Sequence, residues 1–96
     1  MITINQQTIS LSGHLSMDNV PSIYTQGLHV VTVASCLVDC AQLESVDSSA
    51  IALLFAWQRA AQANNCPLRV SGLPSSLLSL ASLYGVGEML PNQVAV

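Results

Sequence analysis

The sequence predicts a single α/β domain over residues 1–96, in which helices pack on a mixed, mostly parallel sheet. Three observations predict this fold. The chain has 96 residues, which is the length of one domain. Hydrophobic residues make up 51% of it and charged residues only 7%, which excludes intrinsic disorder. After two initial strand patterns, helix and strand patterns alternate along the chain, as they do in sheets joined by helical crossovers.

The first predicted element is a hairpin. Residues 2–12 alternate apolar and polar side chains on both sides of a polar turn at Asn5-Gln6-Gln7. This period of two is typical of strands with one buried face. We expect Gly13 to end the second strand.

A short helix is predicted next. Ser16 or Asp18 is placed to cap it, Pro21 suits its first turn, and we expect it to end at Tyr24. The β-branched segment Val30–Ala34 fits more than one structure, and its assignment stays open.

The strongest pattern is a long helix over Ala50–Asn64. No proline or glycine interrupts it, and its alanines and leucines have high helix propensity. Asp47-Ser48-Ser49 supplies three side chains able to cap its start, and Pro67 follows its end.

Short apolar runs at Cys36–Ala41 and Leu68–Ser71 predict two more strands, the first buried on both faces. A last helix begins at Pro74 and is followed by Gly85 as its C-cap. We expect the apolar residues Met89–Pro91 to dock on the core. The apolar face of the last helix consists of Leu77, Leu80, Ala81 and Tyr84.

On the long helix, most apolar side chains share one face, which we expect to pack on the sheet. Ile51 and Phe55 fall instead among the polar residues, next to the small Ala52. Single exposed apolar side chains are common, so one interpretation is that Phe55 only covers a neighbouring loop. We favour a docking face for another protein, because adjacent exposed apolar residues rimmed by polar ones mark interaction sites. The predicted buried face consists of Leu53, Leu54, Trp57, Ala60 and Ala61.

The composition excludes several function classes. With 2 Lys+Arg, the chain cannot neutralise a run of phosphates, so it does not bind nucleic acid through a basic patch. A nucleophilic serine would need a base, and His14 and His29 are far from the serine-rich helix start along the chain. We therefore expect no catalytic residue, no metal site and no cofactor.

The cellular compartment follows from the cysteines and the hydropathy pattern. Cys36, Cys40 and Cys66 are expected to be buried free thiols, as in a reducing cytosol. The longest uncharged stretches, Asn19–Val38 and Val70–Gly87, contain too many polar residues, prolines and glycines to span a membrane, and the first residues lack the features of a signal peptide. We expect a cytoplasmic protein with no direct membrane insertion.

The run Val46–Leu54 resembles the strand-to-helix signature of STAS domains (sulphate transporter and anti-sigma-factor antagonist). In that family an acidic residue and one or two hydroxyl residues open the helix after a buried strand, and glycine usually stands where this chain has Ala50. Leu11–Leu15 and Leu68–Ser71 are similar to the family's strands, so the resemblance covers nearly the whole chain.

Within the family, the chain most resembles the MlaB branch, the small cytoplasmic subunit of the Mla phospholipid ABC transporter, at Leu80–Tyr84 followed by Leu90-Pro91. This resemblance implies a non-catalytic regulatory subunit. Its partner would be the transporter's ATPase (MlaF-like) and, indirectly, the permease, in a system that maintains outer-membrane lipid asymmetry. The alternative is an anti-sigma-factor antagonist switched by phosphorylation.

The resemblance gives the two serines different roles. The phosphorylated position of the antagonists corresponds to Ser49, and the contact position of the transporter branch corresponds to Ser48. The chain has serine at both, so the motif alone does not choose, and in either case Asp47 or Ser48 is expected to cap the helix. The predicted partner-binding residues are Asp47, Ser48, Ser49, Ala50, Ile51, Ala52 and Phe55.

Overall fold

The computed structural model describes residues 2–83, Gly85 and residues 92–94. Its elements, in chain order, are β1 (Ile2–Asn5), β2 (Thr8–Leu15), α1 (Val20–Val31), β3 (Cys36–Val46), α2 (Ser48–Ala63), β4 (Leu68–Ser71), α3 (Ser75–Leu83) and β5 (Asn92–Val94).

The strands form one sheet in the order β1-β2-β3-β4-β5. β1 runs antiparallel to β2, as expected for a hairpin, and each later strand runs parallel to its neighbour. This is the mixed, mostly parallel α/β fold that the sequence predicts.

The helices pack on one face of this sheet. Because successive parallel strands are neighbours, right-handed crossovers place their connecting helices on the same side. α2 accordingly contacts both α1 and α3. Along β2, the buried Ile9, Leu11 and Leu15 alternate with the less buried Ser10 and Ser12, so one face of the strand belongs to the core.

Trp57 on α2 fills the contact between α1 and α2. It is fully buried, and its indole N–H donates a hydrogen bond to the carbonyl oxygen of Tyr24 at 3.1 Å. Gly27 on α1 lies against the indole ring, because a Cβ at that position would stand 2.4 Å from Cζ2 of Trp57. The two helices therefore approach this closely only because residue 27 has no side chain.

The prediction that Gly13 ends the second strand is wrong. β2 continues to Leu15, and Gly13 lies at an irregularity where the register with β3 shifts. Its φ of 76° is a conformation that favours glycine, so the residue marks a bulge instead of a terminus.

The predicted cap and end of the first helix are also wrong. Its N-cap is Asn19, and the helix continues past Tyr24 to Val31, which is fully buried. Ser16 is used within the preceding loop, where its hydroxyl accepts a hydrogen bond from the N–H of Asp18. Packing against Trp57 extends the helix beyond the point where local propensity ends it.

β3 is longer than the apolar run that predicts it. It extends from Cys36 to Val46, beyond the expected end at Ala41, because its second half pairs with the end of β2. The polar residues of this second half, such as Gln42, are exposed on the strand, so hydropathy gave no signal for them.

The last two helices agree with the prediction. α2 is capped by Asp47, and α3 begins directly after Pro74 with Leu77 and Ala81 buried and Leu80 half-buried. Gly85 has the positive φ of a C-cap glycine, 71°, and its N–H donates to the carbonyl oxygen of Ser82. Tyr84 and Met89–Pro91, which were also assigned to the core, lie outside the described residues.

Candidate functional site

The candidate site lies where the carboxyl ends of β2 and β3 meet. Leu15, the last residue of β2, pairs with Val46, the last residue of β3. The N–H of Asp47 then donates a hydrogen bond to the carbonyl oxygen of Leu15 at 3.1 Å. The loop before α1 and the start of α2 are therefore neighbours.

Asp47 connects these two segments through its side chain. Its backbone is extended, and its Oδ1 accepts a hydrogen bond from the N–H of Ser49 at 2.8 Å, which caps α2. The Ser49 hydroxyl donates to the same oxygen. The N–H of Met17, in the loop before α1, lies close enough to this carboxyl group to help keep it ionised. One carboxylate thus holds both the helix start and the neighbouring loop.

These hydrogen bonds lower the pKa of Asp47. The Ser49 hydroxyl has the largest effect on the pKa, followed by the N–H of Ser49. Burial opposes these two, and the N–H of Met17 makes the smallest contribution, which again lowers the pKa. Each donor stabilises the ionised carboxylate. Asp47 is therefore a charged cap, and a group that holds its proton so weakly is a poor general base.

The structure separates the two serines that the sequence left equivalent. Ser49 is half-buried and its hydroxyl is engaged by Asp47. Ser48, the first residue of α2, is exposed. The hydroxyl presented to solvent at the helix start is that of Ser48.

The predicted exposure of Ile51 is wrong. Ile51 is only 6% exposed and Ala50 is fully buried, so neither belongs to an exposed docking face. Phe55, the second member of the predicted apolar pair, is half-buried against the core, whereas Ala52 is exposed. The reason is tertiary: α2 contacts α1, α3 and the sheet, so it buries a wider arc than one sheet-facing stripe.

Met17 is a surface residue that the sequence prediction missed. Its side chain is 77% exposed, although methionine is apolar, and it lies in the loop that Asp47 holds beside α2. No periodicity marks a single loop residue, so only the pairing of β2 with β3 reveals that Met17 is near the helix start.

The profile of the family described as "Mlab, STAS domain" matches residues 2–91 of the chain. The chain belongs to this family. The candidate site of this STAS domain contains the aspartate and the two serines on which the resemblance rests.

Among solved structures, this STAS domain is similar to the anti-sigma factor antagonist SpoIIAA in its unphosphorylated form. The two are 17% identical, the match covers 99% of this chain and 87% of the other, and the TM-score is 0.75. At that identity the likeness concerns the fold. No curated protein sequence matches the chain.

The other titratable groups within the described residues do not meet the requirements of a metal site. Among the described residues, no three His, Cys, Asp or Glu side chains are grouped to hold a metal ion. Cys36 and Cys40 are buried free thiols as predicted, and burial raises their pKa to about 11 and about 12, with Asp39 adding to the shift at Cys40. Cys66 is also a free thiol but is only half-buried. Among the residues that the structure describes, no helix is long and apolar enough to cross a membrane.

Proposed function

We propose that this STAS domain is a non-catalytic regulatory subunit that docks on the cytoplasmic ATPase of a phospholipid-transporting ABC complex. It would be peripheral to the inner membrane through that partner and would help to maintain outer-membrane lipid asymmetry. The MlaB description of the family supports this function. The observation that carries it is the exposed hydroxyl of Ser48 at the start of α2, the contact position of the transporter branch.

The surface around Ser48 is suited to close contact with a protein. Ser48 and Ala52 are one turn apart, exposed and small, so a partner can approach the helix backbone. Phe55 is half-buried at the next turn and adds apolar area. We call Ser48, Ala52 and Phe55 the α2 surface. An apolar centre with a hydrogen-bonding group beside it is the ordinary composition of a protein–protein interface.

The same geometry favours binding over catalysis. A nucleophilic serine donates its proton to a base, usually a histidine. The Ser49 hydroxyl donates a hydrogen bond to Asp47. Because the pKa of this carboxyl group is lowered, Asp47 is a weak base for the proton of the serine. This arrangement caps the helix, and it does not supply the base that a nucleophilic serine requires.

Co-purification with the ATPase tests the proposal. The tagged chain should retain the ATPase from extracts of its own host, and Ser48→Glu should abolish this, because the larger side chain fills the space in which a partner approaches the helix. The domain should stay folded by circular dichroism, since a negative charge is favourable at a helix start. Ser75→Glu is the matched control: Ser75 is the exposed first residue of α3, and this change should leave binding intact. If the wild-type chain retains no ATPase, the proposal is wrong.

The second candidate is an anti-sigma-factor antagonist switched at Ser49, which the fold of SpoIIAA supports. A phosphate on Ser49 would replace the hydroxyl that donates to Asp47 and would place like charges together. Phosphorylation would therefore break the connection at the site. Mass spectrometry of the chain from its host decides between the two: stoichiometric phosphate on Ser49 and co-purification of a serine kinase would replace the transporter function.

A further inference from the structure

The loop between β2 and α1 presents the side chain of Met17 to solvent on a well-fixed backbone. The Asn19 side chain donates to the carbonyl oxygen of His14 at 2.8 Å. Its Oδ1 accepts from the N–H of Ser16 at 3.0 Å. A flexible, polarisable side chain on a preformed loop can fill an apolar recess without the cost of ordering the backbone.

The position of this loop relative to α2 is also set. The N–H of Asp47 donates to the carbonyl oxygen of Leu15 at 3.1 Å, and the N–H of Met17 lies close enough to the Asp47 carboxyl group to help lower its pKa. The loop that carries Met17 and the helix start that carries the exposed Ser48 are therefore neighbours, although 31 positions separate the two residues in the chain. The α2 surface continues onto the loop.

Charge is distributed unevenly between the carboxyl ends and the amino ends of the parallel strands. Asp18, next to Met17 in the chain, and Glu44, near the carboxyl end of β3, are both exposed on this side of the sheet. The two arginines lie away from them: Arg59 near the far end of α2, about 16 Å along the helix from Ser48, and Arg69 near the start of β4. A partner that approaches Met17 therefore meets negative charge, and a basic surface is complementary to it.

We propose that Met17 is the apolar anchor of the docking surface, that it enters an apolar recess with a basic rim on the ATPase, and that Asp47 is a positioning residue that holds Met17 beside Ser48. This inference rests on the proposed function. Asp47 itself makes its hydrogen bonds within the chain, so its effect on the partner is indirect, through Met17 and the helix start that it positions.

The affinity of the purified chain for the purified ATPase, measured by titration calorimetry, tests the anchor. Met17→Ala should weaken binding about tenfold, and Met17→Leu, which keeps the apolar volume, should stay within about threefold of wild type. Val33→Ala is the matched control. Val33 is also an apolar loop residue and is 68% exposed, but it lies between α1 and β3, at the amino ends of the parallel strands. Removal of its side chain should therefore leave the affinity unchanged.

A double-mutant cycle tests the role of Asp47. Asp47→Ala should weaken binding in the wild-type chain, and Asp47→Asn, which keeps an acceptor oxygen, should restore part of the loss. In a Met17→Ala background, Asp47→Ala should cost less than in the wild-type chain, because one of the two segments that Asp47 positions no longer contributes its side chain. If the two losses multiply, Asp47 does not act through Met17.

The outcomes separate the two proposals. Wild-type binding that Met17→Ala leaves unchanged overturns the anchor but not the proposed function. No binding by the wild-type chain overturns both. Raising the salt concentration from about 50 mM to about 500 mM should weaken binding by screening the acidic loop, and an affinity independent of salt overturns the basic rim.

Discussion

Replacing Gly27 with alanine tests the contact between α1 and α2 that places the candidate site. Alanine is the better helix former and would by itself stabilise α1 by about 0.8–1.0 kcal/mol. Its Cβ, however, would lie 2.4 Å from Cζ2 and 2.9 Å from Cε2 of Trp57, and 3.2 Å from Cδ1 of Ile9. Trp57 has no room to withdraw, because it is fully buried and its N–H is bound to the carbonyl of Tyr24.

Overpacking of this kind costs about 1–3 kcal/mol, and distances this short place Gly27→Ala at or above the upper end. After the helix-propensity gain is subtracted, we expect a net destabilisation of about 2 kcal/mol, or roughly 8–16 °C in Tm for a domain of this size. Urea unfolding and calorimetry measure both. In a Trp57→Phe background, where the smaller ring leaves space, the same substitution should cost far less. A Gly27→Ala chain that melts above wild type would refute the steric reasoning.

Three further predictions concern the titratable groups. The pKa of Asp47 is lowered in the folded chain, so its stabilising effect is complete above the ordinary value of 3.8 and is lost as the pH falls through the lowered folded value. The urea concentration at the midpoint of unfolding should therefore fall in this acid range for the wild-type chain, and should fall less for Asp47→Asn. Ser49→Ala removes the largest cause of that shift, so the carboxyl resonance of Asp47 should titrate at higher pH by NMR, and an unchanged titration would contradict the assigned cause. In the native chain Cys66 should react first with a thiol reagent, because Cys36 and Cys40 are buried and their raised pKa leaves little thiolate; equal rates at all three would contradict the burial.

The strands and helices followed from the sequence wherever a local pattern was strong. The alternation of residues 2–12 predicted the hairpin, and the uninterrupted helical pattern after Asp47-Ser48-Ser49 predicted α2. The family resemblance at Val46–Leu54 was confirmed by the match over residues 2–91. In each case the pattern is short-range and needs no knowledge of what packs against it.

The failures came where a partner element overrides the local pattern. Ile51 falls among polar residues on a helical wheel, yet it is buried because α2 has neighbours on more than one side. Tyr24 was expected to end α1, but the helix continues under Trp57. Gly13 looked like a strand terminus, because a bulge and an end both use the conformational freedom of glycine.

The sequence by itself determined the fold class, the family and the short motif that contains the helix cap of this STAS domain, because these depend on hydropathy period, helix propensity and a contiguous motif. Only the tertiary structure decided which residues form the candidate surface. Parallel pairing of β2 with β3 brings Met17 to Asp47 across a gap of 30 positions, and a single hydrogen-bond acceptor then distinguishes Ser49 from the exposed Ser48. Exposure and proximity are properties of packed elements, so a linear pattern does not contain them.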